Sequence, residues 1–215
     1  MFPLYDDNPT RRTPVVTYGL IAACVVVFLY QVSLDRDQLL AFVNTWAVIP
    51  KALFTQFDHR AITLLSSQFL HGSFLHLFGN MWFLWLFGNN VEDVLGRWRF
   101  LGFYLFCGAA AALAHAVVIP TSTLPLIGAS GAIAGVMGGY IVRFPQARIY
   151  TLLVLVIYVT LVRIPAAVFL GVWIVLETLR AAAVHPGMPG IAYLAHVAGF
   201  MTGAVLLPLL PERRD

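Results

Sequence analysis

The sequence predicts an all-α, polytopic membrane protein, a compact bundle of six transmembrane helices. Three observations carry that expectation. Of the 215 residues, 60% are hydrophobic and 11% charged, against about a quarter charged in a soluble domain, so lipid is the expected solvent. Long apolar runs recur from one end of the chain to the other, as membrane spans do. The arginines and the lysine between those runs fall unequally on alternate sides, the asymmetry that fixes membrane orientation.

The runs lie at 15–34, 74–91, 98–119, 126–142, 165–179 and 191–210. All but the fifth fall in or near the roughly 17–25 residues that a spanning helix needs. Pro165 opens the fifth at a first-turn position, where proline is tolerated. The segment 149–162, IYTLLVLVIYVTLV, fits least well. As a helix it would rise only about 21 Å, short of a hydrocarbon core roughly 30 Å thick. Broken from the next run by "RIP", it is expected to be interfacial or re-entrant, or else to lengthen a tilted fifth helix.

With six spans and both ends cytoplasmic, the inner side holds Arg11, Arg12, Arg97, Arg99, Arg143, Arg148, Arg163, Arg213 and Arg214. The outer side holds Arg36, Lys51, Arg60 and Arg180. Nine against four supports this orientation by the positive-inside rule. The expected organisation is a short cytoplasmic segment (1–14), a six-helix membrane domain (15–210) and a cytoplasmic tail (211–215). Arg11 and Arg12 before a run reaching Cys24 also have the look of a lipoprotein signal. The run continues through "VVVFLY", so an uncleaved first helix is expected.

The formal charge of +3 is too small and dispersed to indicate a nucleic-acid partner. Cys24 and Cys107 both sit in apolar runs, which argues against a disulfide framework or zinc site. No phosphate loop, haem motif or ligand spacing is present, so neither metal nor cofactor is expected. The compact core without a targeting presequence leads to a bacterial inner membrane as the expected location.

Polar side chains inside the spans are few and fall at one depth. The second span carries His76 and Asn80 one turn apart on one face, with His71 just before it. Ser130 lies early in the fourth span and His196 early in the sixth. These three spans all run from outside to inside, so the four side chains share a level a few residues below the outer surface. Polar groups are costly in hydrocarbon and face a cavity or one another. Singly, each reads as packing or helix–helix glue; together, at matched depth, they read as a site. Gly131, Gly135 and Gly139 recur every four residues, as do Gly199 and Gly203. Such stripes let helix backbones approach closely in lipid, which would carry His196 against the helix bearing Ser130.

"GASGAIAG" around Ser130, "AHVAGFMTG" around His196 and "HGSFLHLFGNMWFLWLFGNNVED" around His76 and Asn80 resemble the rhomboid intramembrane serine proteases. The similarity covers roughly residues 65–205. The resemblance implies a catalytic dyad, with Ser130 as nucleophile and His196 as general base. It also implies an oxyanion site from His76, Asn80 and the Ser130 backbone N–H. Substrates would be other membrane proteins, cut in or near a transmembrane helix. A neutral imidazole can take the serine proton, a contribution of about 10²–10⁴ in rate. Each fixed oxyanion donor is worth roughly 2.7–4 kcal/mol.

The sequence departs from some members of that family. Trp46 has no adjacent arginine, and Ala134 stands where some members place a tyrosine against the histidine, so Tyr193 or a helix backbone is expected to hold His196. No third, orienting carboxylate is expected, because Glu177 and Glu92 read as lying at inner ends or away from this depth. Glu177 and Arg180 are expected to pair at a helix end. Glu92, Asp93, Arg97 and Arg99 are expected to form an inner turn. His115 reads as structural, His71 as a cavity or rim residue, and Trp82, Trp85, Trp98 and Trp173 as lipid-facing anchors.

Two other function classes stay open on sequence alone. One is a catalytically silent membrane chaperone or adaptor that holds transmembrane helices. The other is a small transporter, for which no internal repeat is found.

Overall fold

The computed structural model describes residues 2–155, 158–183 and 193–213. The expected start of the sixth span at 191, Arg214 with the end of the tail, and the centre of the 149–162 segment lie outside the described residues.

The chain is mostly helical. A short strand β1 (Phe2–Asp6) precedes α1 (Val15–Ser33). Four short helices then follow before the next long one: α2 (Arg36–Trp46), α3 (Pro50–Thr55), α4 (Phe57–Arg60) and α5 (Thr63–Ser66). The remaining helices are α6 (Phe74–Leu95), α7 (Arg97–Val118), α8 (Ser130–Arg143), α9 (Ala166–Ala183) and α10 (Tyr193–Leu206). By length and composition α1, α7 and α9 can each cross a membrane. Helix α6 is as long as α7 but is interrupted by histidine, asparagine and acidic residues. Large apolar side chains point outward on α1 (Val26, Leu29), α7 (Phe106, Val117), α9 (Val168, Val172) and α10 (Met201, Val205). Water would make such faces polar; lipid accounts for them.

Helix α8 is the hub, with every residue from Gly131 to Tyr140 buried. Its glycines make this possible. A Cβ on Gly199 would run into the carbonyl oxygen of Gly131, and one on Gly203 into that of Gly135. Gly138 likewise meets the Phe200 carbonyl, whereas Gly139 faces Phe103 and Leu207. Helices α8 and α10 therefore touch backbone to backbone, which brings Ser130 and His196 within reach of each other.

The start of α1 is tied to α6 by a buried carboxylate. Helix α1 starts after Pro14 with no side-chain cap of its own, leaving first-turn N–H groups without partners. Glu92 supplies one from α6, accepting from Val16 N (2.9 Å), Thr17 N (2.7 Å) and Thr17 Oγ1 (2.8 Å). The inner turn expected around Glu92 is therefore also an anchor for α1. Gly96, at φ 74°, makes that turn between α6 and α7, a conformation costly for any residue with a Cβ. Cys24 is fully buried within α1.

The described residues of the segment 149–162 are extended and not helical. It is split between β2 (Arg148–Leu155) and β3 (Tyr158–Pro165), which pair antiparallel from Arg148 opposite Pro165 to Leu155 opposite Tyr158. It is therefore not an extension of the fifth helix. Its Val, Ile, Thr and Tyr content favours the extended chain, and Ile149 and Thr151 are buried while Tyr150 between them is not. Strand β1 adds to β2, with Phe2 opposite Leu152 and Asp6 opposite Ile149. Tyr5 stacks on Tyr150 at 4.4 Å, and the Arg163 guanidinium lies over Tyr150 at 5.2 Å, a ladder across all three strands. Trp82 Nε1 donates to the Pro3 carbonyl (2.7 Å) and the Tyr140 hydroxyl donates to Asp6, so the sheet is fastened to α6 and α8. Trp82 is thereby a strand anchor and not a lipid-facing residue alone.

Candidate active site

Four helices deliver polar groups to one cavity of about 690 Å³. Ser130 opens α8, following Gly128 at φ 122°. That backbone turn seats Gly128 directly under the His76 ring: a Cβ there would meet His76 Nε2 at 2.8 Å. His196 lies in the first turn of α10. Its Nε2 stands 2.8 Å from Ser130 Oγ, the two coming from chain positions 66 residues apart.

On α6, Ser73 caps the helix by accepting from His76 N (3.1 Å), which fixes the first turn. The Gly72 N–H donates to His76 Nδ1 (3.4 Å). Asn80 follows one turn later and is buried, and among the described residues its Nδ2 has no hydrogen-bond partner. A buried donor left unmade costs about 1–3 kcal/mol, so an orphan amide lining a cavity beside a serine is suited to an incoming acceptor. The N–H groups of the first turn of α8 have no intrahelical acceptor and carry its positive dipole end. His76, Asn80 and Ser130 all line the cavity.

His71 does not line it. It is buried behind His76, ring centroids 5.2 Å apart. Its backbone is clasped by Gln31 of α1, which accepts from His71 N (3.0 Å) and donates to His71 O (3.2 Å). Burial above all, then the proximity of His76, pulls the His71 imidazole down to about 4, so it is held neutral.

Two neighbours of His196 depart from expectation. Tyr193 does meet the ring edge-on at 6.4 Å, but Trp173 of α9 also packs against it at 6.1 Å and lines the cavity. Trp173 is thus part of the site wall and not a lipid anchor. The larger correction is Glu177. Its Oε2 lies 2.6 Å from His196 Nδ1, and its Oε1 accepts from Arg180 NH1 at 2.9 Å. The pairing with Arg180 is as expected; the absence of a carboxylate at site depth is not. Along α9, position 177 falls level with the start of α10, where His196 lies. The spacing of Trp173, Glu177 and Arg180, at i, i+4 and i+7 on one face, is the signal that could have found it. Among the described residues no three His, Cys, Asp or Glu side chains converge as metal ligands.

A hydroxyl and an imidazole bonded inside an apolar helical bundle, with an amide donor beside them that has no partner among the described residues, define a serine–histidine site. The chain matches the Rhomboid domain family over residues 58–213. It belongs to the rhomboid family and is an integral membrane protein.

Similar curated proteins include Rhomboid protein 1, mitochondrial, of Saccharomyces cerevisiae, 30% identical over 69% of this chain and 41% of that protein. The human Presenilin-associated rhomboid-like protein, mitochondrial, is 33% identical over 61% of this chain and 33% of its own length. Rhomboid-like protein 11, chloroplastic, of Arabidopsis thaliana is 29% identical over 69% and 52% respectively. The chain thus spans about half or less of the length of these relatives.

Proposed function

We propose that the protein is an intramembrane serine endopeptidase that cleaves transmembrane segments of other membrane proteins. The observation that carries this reading is the 2.8 Å contact between Ser130 Oγ and His196 Nε2 at the wall of a cavity of about 690 Å³. Ser130 is the nucleophile: His196 takes its proton as Oγ attacks the scissile carbonyl, then returns it to the leaving amine. The developing oxyanion is received by Asn80 Nδ2, His76 and the Ser130 N–H. Water entering the cavity then attacks the acyl-enzyme, with His196 again the base.

The reading includes the topology. All six helices α1, α6, α7, α8, α9 and α10 cross the membrane, residues 15–210 form one domain, and 1–14 and 211–215 lie inside. The arginine asymmetry supports this orientation. A bacterial inner membrane is the proposed setting, although the relatives named above are mitochondrial or chloroplastic. The adaptor alternative has no observation in its favour, since it requires neither an orphan Asn80 donor nor a bonded hydroxyl and imidazole.

The test is cleavage of a transmembrane reporter by purified protein. Wild type cleaves and is labelled at Ser130 by a fluorophosphonate. Ser130→Ala and His196→Ala do neither while keeping the wild-type melting temperature. Equal cleavage by Ser130→Ala would refute the proposal.

A further inference from the structure

We propose that Glu177 is the third member of the site, a positioning residue that fixes the tautomer and aim of His196, and that Arg180 holds it in place. The inference rests on the reading of Ser130 and His196 as nucleophile and base. It goes beyond that reading, which requires only two residues.

The argument is geometric. To accept the serine proton, the imidazole must present a bare Nε2 to Ser130, so its proton must sit on Nδ1. Which nitrogen is bare is set by what the other one meets. Nδ1 meets Glu177 Oε2 at 2.6 Å, a carboxylate that can only accept when ionised. The Nδ1–H tautomer is therefore favoured. The same carboxylate sits beside the imidazolium that forms when Ser130 gives up its proton, as the acid of a serine–histidine–acid site does.

Glu177 is suited to hold that position. It is 3% exposed and its other oxygen is taken by Arg180, whose side chain reaches the surface and lies over the Tyr193 ring at 5.9 Å. Trp173, one turn earlier on α9, packs on the imidazole face. Among the described residues the charged and titratable groups around His196 are Glu177 and Arg180 from α9, Tyr193 on its own helix, and the histidines His76 of α6 and His115 of α7. Among the described residues Glu177 is the carboxylate bonded to it. A family site that works as a dyad is here a triad, with the acid supplied by the helix next to the base.

The experiment uses full-length protein in proteoliposomes with a transmembrane reporter and compares wild type, E177Q, E177D and R180A. E177Q should lower kcat by about 10²-fold with KM within twofold, and slow fluorophosphonate labelling of Ser130 in parallel. E177D, with a shorter reach, should recover part of kcat, and R180A should lose less than tenfold. In wild type labelled with 15N-histidine, a strongly deshielded imidazole proton should be seen on His196 Nδ1 and vanish in E177Q. A merely structural Glu177 would lower the melting temperature without that split or that signal. Wild-type kcat and labelling in E177Q overturn the inference, and if E177Q fails to fold, absence of the deshielded proton in wild type does so. Failure of the underlying reading looks different: wild type itself then neither cleaves nor labels.

Discussion

Gly199→Ala is the sharpest perturbation available, because it adds one methyl at the tightest contact near the site. The new Cβ would fall inside the contact distance of the Gly131 carbonyl oxygen and touch Ala111 Cβ at 3.4 Å. Carbon and oxygen ordinarily approach to about 3.3–3.6 Å, so α10 must withdraw from α8 by on the order of 1 Å. Overpacking of this kind costs about 1–3 kcal/mol, offset by up to about 1 kcal/mol from replacing a helical glycine. The net expectation is a loss of about 1–2 kcal/mol. The effect on rate is larger. Ser130 Oγ and His196 Nε2, at 2.8 Å, would separate beyond hydrogen-bonding range, and a misplacement of about 1 Å costs about 10²-fold. Gly102→Ala on α7 is the control, since nothing lies within 4 Å of its Cβ; it should gain about 0.5–1 kcal/mol with turnover unchanged. Thermal unfolding in detergent and cleavage of a transmembrane reporter read both effects. A Gly199→Ala protein with wild-type melting and wild-type kcat would refute the backbone contact between α8 and α10.

Further outcomes follow from the same geometry. Asn80→Ala should reduce kcat by about 10²-fold, the lower end for one lost oxyanion donor, with little change in melting temperature because its Nδ2 bonds nothing among the described residues. Glu92→Ala removes three hydrogen bonds from the start of α1 and should destabilise by about 3 kcal/mol, read by thermal unfolding; Glu92→Gln should lose less. Burial raises the Asp6 carboxyl from 3.8 to about 6. Since the folded value exceeds the unfolded one, the docked strand binds the proton more tightly, and docking weakens as pH rises from about 4 through about 6. Amide exchange at residues 2–6, corrected for intrinsic rate, should be slower at pH 5 than at pH 7.5, and Asp6→Asn should abolish the difference.

Much of this architecture was legible in the sequence because lipid imposes simple rules. The six apolar runs coincide with α1, α6, α7, α8, α9 and α10 to within a few residues, save for 191–192, outside the described chain. The glycine stripes foretold which helices touch. What escaped was set by relations between elements. Glu177 was discounted because its depth depends on the direction of the fifth helix, and a reversed assignment of one end hides a partner that the structure puts at 2.6 Å. The hairpin escaped because a short apolar run has no periodicity that separates strand from buried helix. Strand β1 escaped for another reason: five residues before the first helix show no partner until β2 is known. The role of Glu92 was equally hidden, since a cap supplied from 75 residues away leaves no local motif.

The pairing of Phe2 with Leu152 sets an order of events during biosynthesis. Residues 2–6 leave the ribosome before α1, yet their partner strand follows only after α8 has been made. The early strand must therefore wait, unpaired, while the bundle inserts, and its closure over α6 and α8 reports that α8 has arrived. A bulky fusion placed ahead of Phe2 would interfere with that last stitch and leave insertion of the helices themselves untouched.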